Sequence, residues 1–218
     1  MRFVPLACSM LVVAALPVAA QDPLKVAPSI YKLVAENERV RVMHTTIAPG
    51  AKAAMHSHPA HVGVMLTAGS LQMGLPDGKT MDIPVKADEV LLMPAGSHTT
   101  TNTGTAPAEV IVIEMKGAPG TAAFPTARPG MKMTRVLQDA RVEAYRVSAD
   151  SSFHEPAGTT HGFDQVVIPL GDGDIALTMD GKTTSVWKRG DARLIGRGVP
   201  HESKAGKMTG EMIIVAIK

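Results

Sequence analysis

His56 and His58 are two residues apart, so on an extended strand both imidazoles face the same way. His98 follows the turn-forming run Pro94-Ala95-Gly96 and so arrives from a later strand. Three imidazoles converging from two strands make a site for a divalent transition metal; Fe, Mn, Ni, Zn and Cu all accept such nitrogen donors. His61 stands close enough in sequence to add a fourth ligand. A histidine outside such a cluster needs no metal, and His44 reads as solvated or hydrogen-bonded.

The same chemistry recurs further along the chain, and internal repetition outranks any local pattern. An offset of 103 residues carries His58 to His161 and His98 to His201. It also carries Asp77-Gly78-Lys79-Thr80 to Asp180-Gly181-Lys182-Thr183, and Asp88 to Asp191. By this offset Thr159 replaces His56, and Asp164 stands opposite His61. His161, Asp164 and His201 then make a two-His-one-carboxylate set suited to non-haem iron. His154 and Glu155 lie in a loosened stretch within reach of it, and Glu89, Glu114 and Glu155 are the carboxylates available as bases.

The elements that must position these residues are short strands. Val40–Ile47, Val62–Thr67 and Glu89–Met93 end at Gly- or Pro-containing turns, as do their counterparts in the second copy. Many short strands with Gly, Pro and Asp punctuation indicate a β-sandwich or barrel. Asp77-Gly78 and Asp180-Gly181 read as two-residue hairpin turns. Residues 36–116 form the first barrel and 135–218 the second. Between them residues 117–134, dense in Pro, Gly, Ala and Thr, read as a linker. Residues 21–35 are an N-terminal extension in which Ile30–Val34 is either a short helix or an added edge strand.

Residues 1–20 combine Arg2, an apolar run interrupted by Pro5 and Pro17, and the small residues Val18-Ala19-Ala20. This is the pattern of a secretory signal peptide, which places the mature chain in the periplasm or outside the cell with no stable membrane insertion after cleavage. Cys8 is the sole cysteine, so cleavage would leave no thiol.

The motifs resemble those of the cupin superfamily over nearly the whole chain. Gly50, His56, His58 and Gly69 match the family's Gly-x5-His-x-His-x3–4-Glu-x6-Gly motif, and Pro94, Gly96, His98 and Asn102 match its second motif. Asp88 replaces the leading Gly of the second motif, and Val62 stands where the metal-binding Glu would be. The resemblance implies an all-β chain of two cupin-type double-stranded β-helix (jelly-roll) barrels, a bicupin. It makes His56, His58 and His98 metal ligands. Cupins with three His and no Glu include iron-dependent dioxygenases acting on thiols and diketones.

Composition narrows the partners. A net charge of +2 with 3% aromatic residues excludes the basic face or stacking platform of a nucleic-acid binder. No phosphate-cradling Gly loop and no Gly-x-Ser-x-Gly elbow is present. The expected partner is a small-molecule substrate or ligand, with a homodimer left open. Two functions follow: a dioxygenase-like, isomerase or lyase metalloenzyme, or a non-catalytic metal- or small-ligand-binding protein of sensory or storage type. The 14 methionines extend the second reading to copper, although they are spread along the chain and also serve as core filler.

Overall fold

A computed structural model describes residues 21–206 and 210–218; residues 1–20, read above as a signal peptide, lie outside the described residues. After one helical turn, α1 (Pro23–Val26), the first half runs through nine strands. These are β1 (Tyr31–Glu36), β2 (Val40–Ile47), β3 (Lys52–His58), β4 (His61–Met65), β5 (Gly69–Gly74), β6 (Thr80–Val85), β7 (Val90–Met93), β8 (Gly96–Asn102) and β9 (Ala108–Met115). The second half repeats the series: β10 (Met131–Gln138), β11 (Val142–Ala149), β12 (His154–Thr159), β13 (Asp164–Pro169), β14 (Ile175–Met179), β15 (Lys182–Thr184), β16 (Arg193–Ile195), β17 (His201–Ala205) and β18 (Glu211–Ile217). Ile30–Val34 thus contributes to an edge strand. β10 begins at Met131, inside the stretch read as a linker.

Each half folds into two sheets. The orders β1-β2-β9-β4-β7 and β3-β8-β5-β6 in the first match β10-β11-β18-β13-β16 and β12-β17-β14-β15 in the second. The duplication is therefore one of topology as well as sequence. No helix among the described residues is long and apolar enough to cross a membrane.

The central strands show why they carry near-continuous apolar runs. On β9, Val110 and Val112 point into the first barrel, while Ile111, Ile113 and Met115 point outward. On β18, Met212 and Ile214 point into the second barrel, and Ile213, Val215 and Ile217 point outward. The outward sets meet Val62, Val64, Val166 and Ile168 in one core shared by the two barrels. A strand buried on both faces loses the polar alternation of a half-exposed one.

The turns differ between copies. Asp180-Gly181 is a two-residue loop with both φ angles positive (50° and 70°), as a type I′ turn requires. Asp77-Gly78 belongs to a longer loop closed by Leu75 and Lys79, with only Gly78 in the left-handed region.

Candidate metal centre and second-barrel cavity

The first-barrel site rests on one cross-strand pair. His56 of β3 stands directly opposite His98 of β8, and a register shift between Ala53 and His56 marks a β-bulge just before it. A bulge re-aims side chains locally, and here both Ala53 and His56 end up buried. His58, two residues on, shares the inward face. Ring centroids lie 4.8 Å (His56–His58), 4.7 Å (His56–His98) and 5.3 Å (His58–His98) apart. One nitrogen from each of the three lies within 4.8 Å of the others.

Hydrogen bonds on the far side of two rings fix which nitrogen faces inward. His56 Nδ1 donates to the Ala54 carbonyl at 2.6 Å, and His58 Nδ1 donates to Glu114 Oε1 at 2.6 Å. In a neutral ring the other nitrogen then carries a lone pair. Glu114 Oε2 accepts from Arg41 Nε at 2.6 Å, and Arg41 is held in turn by Asp22 at 2.9 Å. Burial alone would raise the Glu114 pKa, but the bonds from His58 and Arg41 outweigh it and hold the carboxyl below its ordinary value. Burial, then the neighbouring imidazoles, pushes His98 down to about 3; burial and His58 push His61 down to about 4. His56 is lowered chiefly by burial. Neutral imidazoles with inward lone pairs, backed by a carboxylate, fit a divalent transition metal.

Val62 and His61 separate cleanly. Val62 turns outward into the shared core, whereas His61 lines the barrel cavity. His61 packs on His58 at 4.6 Å but lies 6.4 Å from His98, beside the trio and outside the ligand group. The cavity measures about 90 Å³ and is walled by apolar residues such as Leu71, Val85 and Met65. His44 lies outside it, half-exposed and near Glu109.

Tyr31 is a site residue that the motifs did not indicate. Its hydroxyl donates to His56 Nε2 at 2.9 Å, and burial raises its pKa so that it keeps its proton. The repeat gave no hint of it, because the equivalent edge-strand position in β10 is Met133.

In the second barrel His161 and His201 come together, with ring centroids 4.8 Å apart, but Asp164 does not join them. Asp164 faces the other barrel, fully buried, and accepts hydrogen bonds from Asn37, Arg39 and the Arg197 amide. The constant offset misplaced it. His61 pairs with Glu114 and Met93, and the residue in that place in the second barrel is Gln165, paired with Ala216 and Ile195. One extra residue between His161 and β13 shifts the register, and a one-residue slip moves every side chain to the opposite face.

The carboxylate that does reach the histidines is Glu155. It pairs with Ser203 across β12 and β17, where Ala53 pairs with Thr100 in the first barrel, and Thr159 takes the place of His56. Glu155 Oε1 lies 3.5 Å from His161 Nε2, and Oε2 lies 3.4 Å from His201 Nε2. This Glu-His-His group could hold a metal ion, as could the three-His group. Arg128 Nε, however, already sits 3.0 Å from Glu155 Oε1, a fixed cation against the same carboxylate. Burial lowers the His161 pKa, and Glu155 raises that of His201. His154 is exposed and pairs with Glu202. Glu89, the remaining candidate base, caps a loop through the Lys86 amide. Beside the group opens a cavity of about 340 Å³, far larger than that of the first barrel.

Residues 43–114 match the family model described as a cupin domain. The fold is similar to a cupin 2 conserved barrel domain protein from Leptotrichia buccalis, with 12% identity over 87% of this chain and 88% of that one and a TM-score of 0.58. It is similar to a salicylate 1,2-dioxygenase from Pseudaminobacter salicylatoxidans, with 13% identity over 86% and 76% and a TM-score of 0.61. AerE from Microcystis aeruginosa shares 16% identity over 87% and 97%, with a TM-score of 0.58. No curated protein matches the sequence. The matched domain model covers the first half, and the histidine-bearing strands, the repeated sheet order and the likeness to solved cupins give the chain the fold of two cupin barrels.

Proposed function

We propose that this protein is an exported metal-dependent bicupin whose first barrel carries out dioxygenase-type oxidation of a small molecule. The observation that carries the reading is the buried trio His56, His58 and His98, with Glu114 behind His58. Three neutral donors leave the full charge of a divalent ion available to an anionic or polar substrate. When bound, such an ion supplies Lewis acidity, and Fe(II) adds one-electron chemistry toward O₂. Export is supported by the charged, apolar and small-residue pattern of residues 1–20.

The chain's own residues do the rest. Glu114 and Arg41 keep His58 in one tautomer and orientation. The Tyr31 hydroxyl stays protonated and can donate to a substrate oxygen at the mouth of the trio. The apolar walls admit a small apolar group and exclude water, which strengthens every polar contact inside. The salicylate 1,2-dioxygenase supports the reading by its fold, and a mutant of it is described in complex with gentisate.

The test is metal analysis of protein purified from the periplasm, alongside its His58→Ala variant, followed by oxygen uptake with small thiols, diketones and phenols. Loss of metal in the variant and oxygen uptake with one substrate class are expected. Undiminished metal in His58→Ala overturns the site. Metal-loaded protein that takes up no oxygen with any class overturns the oxidation.

A further inference from the structure

The second barrel holds a cavity that the first-barrel reading leaves unused, and its walls are unusual for this chain. Only seven residues of the whole sequence are Phe, Trp or Tyr. Four of them, Phe124, Phe153, Phe163 and Trp187, line this one cavity, whereas the first-barrel cavity has Tyr31 alone. The shared core between the barrels is built from Val, Ile, Leu, Met and Ala. Aromatic side chains are therefore not the general filler here. They surround about 340 Å³ of open space instead of closing it, and flat faces around an open space favour a flat apolar guest.

One side of that space is polar. His161 stacks on Phe163 with centroids 5.0 Å apart and planes within 12°, which fixes its ring. The side chains of His161 and His201 are more than nine-tenths buried, and neither Nε2 has a hydrogen-bond partner among the described residues. Of the two, His161 lines the cavity, and an orphaned nitrogen facing open space costs free energy until a ligand satisfies it. The neighbouring charges select the head group. A ligand carboxylate would face Glu155, whose oxygens lie 3.4–3.5 Å from both nitrogens, and a ligand cation would face Arg128. A hydroxyl can accept from His161 and donate to Glu155, both of which line the cavity.

We infer that the second barrel binds a small neutral phenol, its ring among Phe153, Phe163 and Trp187 and its hydroxyl on His161 and Glu155. The site shares no residue with the first-barrel trio and does not depend on the oxidation proposed there.

Trp187 is the only tryptophan in the chain and lies in the cavity wall, so its fluorescence reports on this site and not on the first barrel. Phenol is titrated into the full chain, both as purified and after chelator treatment, with calorimetry giving the stoichiometry. The expected result is a saturable change in Trp187 emission at one phenol per chain in both preparations. Cyclohexanol, of the same size but without a π face, should bind about tenfold more weakly. His161→Phe, which keeps the stacked ring and removes the nitrogens, should weaken phenol about tenfold. Ser203→Leu, which adds volume to the wall, should weaken it as well and guards against a folding failure of the first variant. His58→Ala should lose first-barrel metal and leave phenol binding intact. Equal binding of cyclohexanol, undiminished binding in both cavity variants, loss of binding in His58→Ala, or binding that appears only after metal is added would each overturn the inference.

Discussion

Asp164 of the second barrel accepts hydrogen bonds from Arg39 of the first, with Nε at 2.6 Å from Oδ2 and Nη2 at 3.0 Å from Oδ1. The Asp164 side chain is 0% exposed and that of Arg39 31% exposed, so the pair bridges the barrels at the edge of their shared core. Removing one partner of a buried pair strands the other, at about 3–5 kcal/mol. With Arg39 partly solvated and Asn37 still donating, Arg39→Leu should cost toward the lower end, about 3 kcal/mol, read as a fall in the urea midpoint.

The same pair sets an acid limit. Burial alone would raise the Asp164 pKa, but hydrogen bonds from Arg39, the Arg197 amide and Asn37 hold it below its ordinary value. A carboxyl depressed on folding adds stability above its unfolded pKa, roughly 3.9, and loses it as pH falls through the folded value. Urea midpoints of wild type and Asp164→Asn should differ near neutral pH and converge in acid. A constant gap down the acid limb would show that the charge is not what matters.

Glu114→Gln tests the support behind the metal ligands. The variant keeps His56, His58 and His98 but exchanges the charged acceptor of His58 Nδ1 for an amide. Loss of such a partner typically weakens metal binding by about 10–100-fold. Competition titration with a chromophoric chelator should show a drop in that range, with the circular dichroism spectrum unchanged.

Tyr31→Phe should act unequally on the two states of the site. Without metal it removes the donor to His56 Nε2 and should cost about 1 kcal/mol. With metal that nitrogen is engaged elsewhere, so the cost should shrink and metal should bind more tightly. Thermal melts with and without added zinc check this; equal losses in both would place Tyr31 outside the site.

Gly130 sits at φ +72° beside β10, and an added Cβ would overlap the Phe153 backbone nitrogen. Gly130→Ala should therefore cost at least about 1–3 kcal/mol, because backbone cannot move aside as a side chain can. Since Phe153 lines the second cavity, the loss should show in thermal stability and in Trp187 emission together.

The sequence made some of this plain and hid the rest for definite reasons. His56 and His58 were legible because a two-residue spacing is a local property, and His98 because it follows a turn and recurs at His201. The barrel pair was legible from the offset of His58 to His161. What a constant offset cannot show is a register slip, so Asp164 was placed in the site and Gln165 was not. A second slip, in the opposite direction, undoes the match of Asp88 with Asp191: Asp88 shares its place with Gly190. Both have positive φ (65° and 84°), and their amides make equivalent bonds, to Met65 and Pro169. Glu114 and Tyr31 reach the trio from strands far away in sequence, and long-range pairing leaves no trace in spacing. Glu155 was within view, but only the β12–β17 register distinguishes it from the exposed His154 beside it.

The shared core joins β2, β4 and β9 to β11, β13 and β18, the same strands from each copy, while β1 lies near β16 and β10 near β7. That is the self-complementary contact of a two-fold dimer, held here within one polypeptide. In a true dimer every substitution appears in both subunits, so two cavities related by the axis must remain alike. Covalent fusion lifts that constraint: the outer faces stay matched while the interiors diverge. One half can keep its three imidazoles around a narrow space, and the other can exchange one for a carboxylate and open a wide aromatic chamber.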